Sequence, residues 1–168
     1  NNDLNVSGTE EEIITEEETT EDTTTTSSTT TTTLPDEVVT YLEEIQAEKV
    51  QSDELGQTVL EANEKWDDEI STYQEAKDEF ASFIEDAEQF VETVSEPGPP
   101  STFANLVTSH DELKVLANLI YEDTKELLEG LTSSDTGERR AAALDSFNEN
   151  LALFQQKIEE TIASVTSS

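Results

Sequence analysis

The sequence predicts an all-α protein, an antiparallel bundle of three to four amphipathic helices preceded by a disordered Thr-rich stalk. Three observations carry this. Apolar residues recur at heptad spacing through most of residues 34–168. No segment alternates apolar and polar side chains as a half-buried strand would. The first 33 residues hold few apolar side chains, namely Leu4, Val6, Ile13 and Ile14, and these set up no period. The division expected is therefore a stalk over 1–33 and a bundle domain over 34–168.

The stalk comes first. High charge and low hydrophobicity leave too little apolar surface to offset the entropy of ordering a chain, and β-branched Thr disfavours helix. Residues 19–33, TTEDTTTTSSTTTTT, contain eleven Thr and two Ser. Such tracts are the compositional mark of O-glycosylated stalks, so Thr23, Thr24, Thr25, Thr26, Thr29, Thr30, Thr31, Thr32 and Thr33 are candidate sugar acceptors. Asn5 opens an Asn-Val-Ser sequon and is a candidate N-glycosylation site. The plainer alternative is a bare linker, and both readings make the segment a spacer.

Leu34-Pro35-Asp36-Glu37 starts the first helix, since Pro suits a first turn and acids favour the positive end of the helix dipole. Val59, Trp66, Ile70, Tyr73, Phe80, Ile84, Ala87, Val91 and Val94 then fall on a and d positions. Upstream, Val38, Leu42 and Ile45 fit this seam, but Lys49, Ser52 and Gly56 blank it out. Residues 36–95 are expected to form one kinked helix or two, with two favoured and their boundary near Ser52. The run SEPGPPS at 95–101 ends this region. After a short apolar segment with Phe103, Leu106 and Val107, Ser109-His110-Asp111-Glu112 has the form of a capping box. It predicts a helix start there, with Leu113, Leu116, Ile120, Leu127 and Leu131 buried and a stop around Gly130. TSSDTGERR turns the chain, Asp135 and Glu138 forming another cap pair. The last helix places Leu144, Phe147, Leu151, Phe154, Ile158, Ile162 and Val165 on one stripe.

Charge bounds the partners. The chain has 41 acidic and 8 basic residues, a net −33. Nine of those acids and none of the bases fall in 1–33, which leaves 32 acids against 8 bases, net −24, on 34–168. The acidity thus belongs to the domain surface. It repels nucleic acid and anionic headgroups, so no nucleic acid is expected as partner. No apolar run approaches the ~18 residues needed to span a bilayer, so no direct membrane insertion is expected. Clustered carboxylates should bind cations weakly and diffusely. The many Asp and Glu, few Lys and modest 33% hydrophobic content resemble the exported cell-surface, lipoprotein-like proteins of halophilic archaea. The resemblance is compositional, spans the whole chain, and implies export and a high-salt setting.

Chemistry-bearing constellations are sparse. The chain has no Cys, which excludes disulfides, Cys–zinc sites and thiol nucleophiles, and no Met even at position 1, so it is expected to be a processed or trimmed piece. With a single His, a multi-His zinc site is impossible. His110, in the first turn of its expected helix, reads as a solvated residue, and Ser109 as a cap rather than a nucleophile. Carboxylate pairs are too common among 41 acids to mark a glycosidase-type dyad. Trp66, Tyr73 and Phe80 share a face at heptad spacing and read as core, with an aromatic ligand cavity as the alternative. Arg139 and Arg140, the only two arginines, stand near a helix start where the dipole disfavours them. They read either as locally paired or as a docking point for an acidic partner. No cofactor, metal or catalytic residue is expected.

These readings point to a non-enzymatic exported cell-surface or secreted module on a Thr-rich, glycosylated stalk, with a protein or cell-envelope component as partner. The alternatives are an extracellular ligand-sensing bundle of a receptor, and an acidic decoy that occupies a basic protein.

Overall fold

The computed structural model describes residues 33–167, so the stalk expected over 1–33, Thr33 excepted, lies outside the described residues. Four helices account for most of what is described: α1 Asp36–Asp67, α2 Tyr73–Ser95, α3 Ala104–Thr132 and α4 Glu138–Thr166. No strand is present among the described residues. Each helix packs on the next, and α4 packs on α1, closing a ring of four. Cross-links fix the directions. Glu112 meets Lys157 and Glu126 meets Arg139, so α4 runs back along α3. Lys49 meets Glu159, Gln155 reaches Ser52 and Arg140 reaches Asn63, so α4 is antiparallel to α1 as well. The architecture is an up-down-up-down four-helix bundle.

The core follows the heptad more strictly than its apolar letters suggest. On α1 the buried stripe runs Val38, Tyr41, Ile45, Glu48, Ser52, Leu55, Val59 and Ala62, steps of three and four without a break, with Asn63 buried beside its end. On α2 it runs Ala76, Phe80, Phe83, Ala87, Phe90 and Val94; on α3, Leu106, His110, Leu113, Ala117, Ile120, Thr124, Leu127 and Leu131. Ala143, Phe147, Phe154 and Ile158 serve α4. Large rings interleave with alanines, which lets the layers interdigitate at interior density. Phe90 of α2 meets Phe154 of α4 edge to face, with centroids 5.0 Å apart, so the bundle is stitched across its diagonal. Full burial contributes roughly 2–3 kcal/mol for each such ring.

Three expectations are corrected. The boundary between the first two helices lies at residues 68–72 and not near Ser52, which is buried in the middle of α1. Glu69 takes a left-handed φ of 59° there, and Thr72 caps α2. The Thr72 hydroxyl accepts from the Glu75 backbone N–H at 3.3 Å while the Glu75 carboxylate accepts from the Thr72 N–H at 2.8 Å. This reciprocal bond is the capping box of the chain, and it holds the Glu75 carboxyl below the usual carboxylate range. It also takes Ile70 and Tyr73 out of the expected seam: both are exposed, Ile70 by 70%. Second, α3 begins at Ala104 and not after Ser109. Leu106 and His110 continue the buried stripe of Leu113 backwards, so helix through 104–109 buries more than a start at Ser109 would. Third, Asp135 caps α4 by accepting from the backbone N–H groups of Gly137 (2.9 Å) and Arg139 (3.1 Å), rather than in exchange with Glu138. These bonds keep the Asp135 carboxyl ionised to lower pH than usual, the Ser133 hydroxyl contributing most.

Candidate functional site

Two polar clusters interrupt the apolar core, one toward each end of the bundle. The first gathers on Tyr41. Its hydroxyl lies 3.3 Å from His110 Nδ1 and the two rings meet edge to face at 5.8 Å, joining α1 to α3 across the second diagonal. The Ser95 backbone at the end of α2 stands beside the ring as a further polar neighbour, favouring its charged form. Gly98 packs beside it, with a Cβ there only 3.6 Å from Nε2. His110 is 4% exposed, which corrects the expectation of a solvated residue: the earlier start of α3 turns it into the core. Burial, then Lys114, push its pKa down, opposed by Asp111 and the Ser95 carbonyl.

Glu48 stands two turns further along α1 and is itself 4% exposed. Its Oε2 is buried and has no hydrogen-bond partner. Burial, reinforced by Glu44 one turn away, pushes its pKa up to about 8. Burial and the same two glutamates, Glu48 then Glu44, raise the Tyr41 phenol as well. Ser52, the next seam residue, is satisfied: its hydroxyl donates to the Lys49 carbonyl at 2.6 Å and accepts from the Gln155 amide at 3.1 Å.

The second cluster surrounds Arg140. Its guanidinium donates to Asn63 Oδ1 at 2.8 Å and to the Asp67 carboxylate, and its side chain is only 12% exposed. Asn63, 1% exposed, donates in turn to the Val59 carbonyl at 2.8 Å. Gly130 of α3 makes room for this start of α4, since a Cβ there would lie 2.5 Å from the Arg140 backbone nitrogen. Arg139, on the open side, grips Glu126 with two hydrogen bonds of 3.0 and 3.1 Å, and Glu129 lies 3.8 Å away. Both arginines are thus engaged by carboxylates of their own bundle, Arg140 as a clamp between α1 and α4, Arg139 as one between α3 and α4.

The expected aromatic face is divided. Trp66 and Tyr73 meet edge to face at 6.2 Å where α1 turns into α2, with Trp66 half-buried and Tyr73 exposed. Phe80 is core, 4.8 Å from Phe83. Two solvent-open grooves mark the surface: one of about 190 Å³ lined by Thr58, Glu61, Ala62, Lys65, Glu79 and Ser82, and one of about 470 Å³ lined by Thr108, Asp111, Glu112, Val115 and Leu116. Among the described residues no three His, Asp or Glu side chains converge as a metal site, and no helix is long and apolar enough to cross a membrane. Of the candidate sugar acceptors Thr33 is described and exposed, while Asn5, Thr23–Thr26 and Thr29–Thr32 lie outside the described residues. In comparisons with protein-family models, curated proteins and solved structures, nothing matches this chain.

Proposed function

We propose that the protein is a non-enzymatic exported module, an acidic helical bundle displayed at a cell surface on a Thr-rich, glycosylated stalk and adapted to high salt. The observation that supports this most is the uncompensated charge on the folded surface. Of the 32 carboxylates on 34–168, eight lie within 4.0 Å of a Lys or Arg: Asp67, Glu79, Asp111, Glu112, Glu122, Glu126, Glu129 and Glu159. That leaves 24 without a basic partner among the described residues. Folding brings these charges together, and the repulsion works against a net stability that is only ~5–15 kcal/mol for an ordinary domain. At ~0.1 M salt the Debye length is about 10 Å and neighbouring carboxylates feel one another; at 1 M it is about 3 Å and they largely do not.

The test is helicity followed by circular dichroism against temperature in increasing KCl. The expected outcome is a weak or low-melting signal in dilute buffer that rises steeply toward molar salt. A melting temperature that is high in dilute buffer and flat with salt would overturn the salt-adapted reading and favour an acidic decoy for a basic protein. The stalk is tested separately, by the mass of the native protein: sugar increments mapping to Thr23–Thr33 or Asn5 are expected, and an unmodified mass removes the glycosylated part of the proposal.

A further inference from the structure

Glu48 occupies a position that the heptad reserves for apolar side chains. It follows Val38, Tyr41 and Ile45 and precedes Ser52, Leu55 and Val59 on the buried stripe of α1. A carboxylate there is stripped of water on one oxygen with nothing in its place, since Oε2 has neither solvent nor a donor. The charges around it do not help. On α1, Glu44 adds a second negative charge and Tyr41 offers a hydroxyl already given to His110 of α3. Lys49, next in the chain, is turned to Glu159 of α4 at 2.7 Å, so the adjacent cation is engaged by another carboxylate. Gln155 of α4 donates to Ser52 and Asp53. The buried residues of this end of α2, Phe90 and Val94, carry no charge. A charged carboxylate with one oxygen buried and unpartnered is costly for a core to hold, whereas the neutral acid is tolerable.

We propose that Glu48 is a proton-operated release in the α1 seam: the bundle closes around the uncharged carboxyl, and loss of its proton drives the side chain to water and loosens the middle of α1. The protein then binds one proton more when folded than when unfolded through the neutral range. The sign follows from the raised pKa of about 8 against an ordinary 4.5. The closed form is unopposed below the ordinary value, loses ground as pH rises above it, and has lost the full increment once pH passes the folded value. The consequence is a bundle whose tightness reports pH between 4.5 and about 8, through one residue and without a ligand. Surface carboxylates contribute a broad acid-favouring slope of their own, so the test must isolate position 48.

The experiment uses the full chain in molar KCl, where that surface term is screened. Wild type and Glu48→Gln are unfolded by denaturant between pH 5 and 10, and the wild-type Glu side chains are ¹³C-labelled at the carboxyl and titrated by NMR. The ratio of folding constants, Glu48→Gln over wild type, is expected to grow by up to roughly tenfold per pH unit between the two pKa values and then level off. One carboxyl resonance, absent from Glu48→Gln, should titrate near pH 8, and amide exchange over residues 45–55 should quicken as it does. Parallel stability curves, or a Glu48 resonance that titrates with the surface glutamates, would overturn the proposal. The wild-type titration decides alone if the variant does not fold.

Discussion

Two glycines in this bundle sit against neighbouring helices, and replacing each with alanine should give opposite results. A methyl at Gly130 would lie 2.5, 2.6 and 2.8 Å from the nitrogen, Cα and Cβ of Arg140, against an ordinary contact of 3.4 Å or more. Two of those atoms are backbone, so relief requires α3 and α4 to part where their packing is closest. At Gly56 the methyl would lie 2.6 Å from Leu151 Cδ2, the tip of a side chain that can change rotamer. Both changes gain the helix propensity of alanine over glycine, about 1 kcal/mol. Overpacking typically costs ~1–3 kcal/mol, with Gly130→Ala at the upper end and Gly56→Ala at or below the lower. Gly130→Ala should therefore destabilise by about 2 kcal/mol net, roughly 4–10 °C in Tm for a domain of this size. Gly56→Ala should be neutral or stabilising by up to ~1 kcal/mol. Thermal unfolding by circular dichroism in molar KCl measures both. Equal shifts of one sign would refute the reasoning, since the helix-propensity term is common and only the neighbouring atoms differ.

The two adjacent arginines should separate in the same assay. Arg140→Met keeps the stem but strands the buried Asn63 oxygen, at a cost of about 1–3 kcal/mol, and Asn63→Leu in the same chain should recover much of it. Arg139→Ala, at a side chain 43% exposed, should cost no more than ~1 kcal/mol, and less as salt rises. His110→Phe leaves the buried Tyr41 hydroxyl without its acceptor and should cost about 1–3 kcal/mol, with Tyr41→Phe restoring stability because both partners are then apolar. His110→Phe should also flatten the acid limb. The lowered pKa of His110 means the unfolded chain takes the proton first, so the contribution of His110 to stability falls as pH drops below about 6.5, opposite in sign to that of Glu48. A stability difference between wild type and His110→Phe that does not change with pH below about 6.5 would argue against this role of His110.

The stripes of α3 and α4 were legible because their buried positions are mostly Leu, Ile and Phe, and an apolar period needs only to be counted. On α1 the letters misled. Glu48 and Ser52 stand at true seam positions, so the apolar pattern shows a gap there and favours Leu42 over Tyr41, which puts a helix break where the chain runs on. Stepping three before four from Val38, through Tyr41 and Leu55, keeps the frame and puts Glu48 in the core, whereas Ser52 belongs to both frames. Two four-residue strings of one form, Ser109-His110-Asp111-Glu112 and Thr72-Tyr73-Gln74-Glu75, show what a capping signature alone decides. The first lies inside a helix because Leu106 and His110 find a core to enter, and the second is a true cap because Glu69 leaves helical φ three residues before it. The partners of Arg140 and His110 lie 77 and 69 residues away in sequence, and only the packing of distant helices brings them together.

An up-down-up-down ring places residue 36 and residue 166 at the same end, and this sets how the bundle bears force. A pull between its two ends does not shear the helices lengthwise. It peels α1 from α4 like a zipper, meeting first the Lys49–Glu159 pair, then Gln155 on Ser52 and Asp53, and last the Arg140 clamp on Asn63 and Asp67. Because these links are loaded one after another, such a peel proceeds at low force. A pull transmitted through one end alone leaves that seam unloaded, and the far end, where Ile70 and Tyr73 are exposed, stands at the greatest distance from the point of attachment.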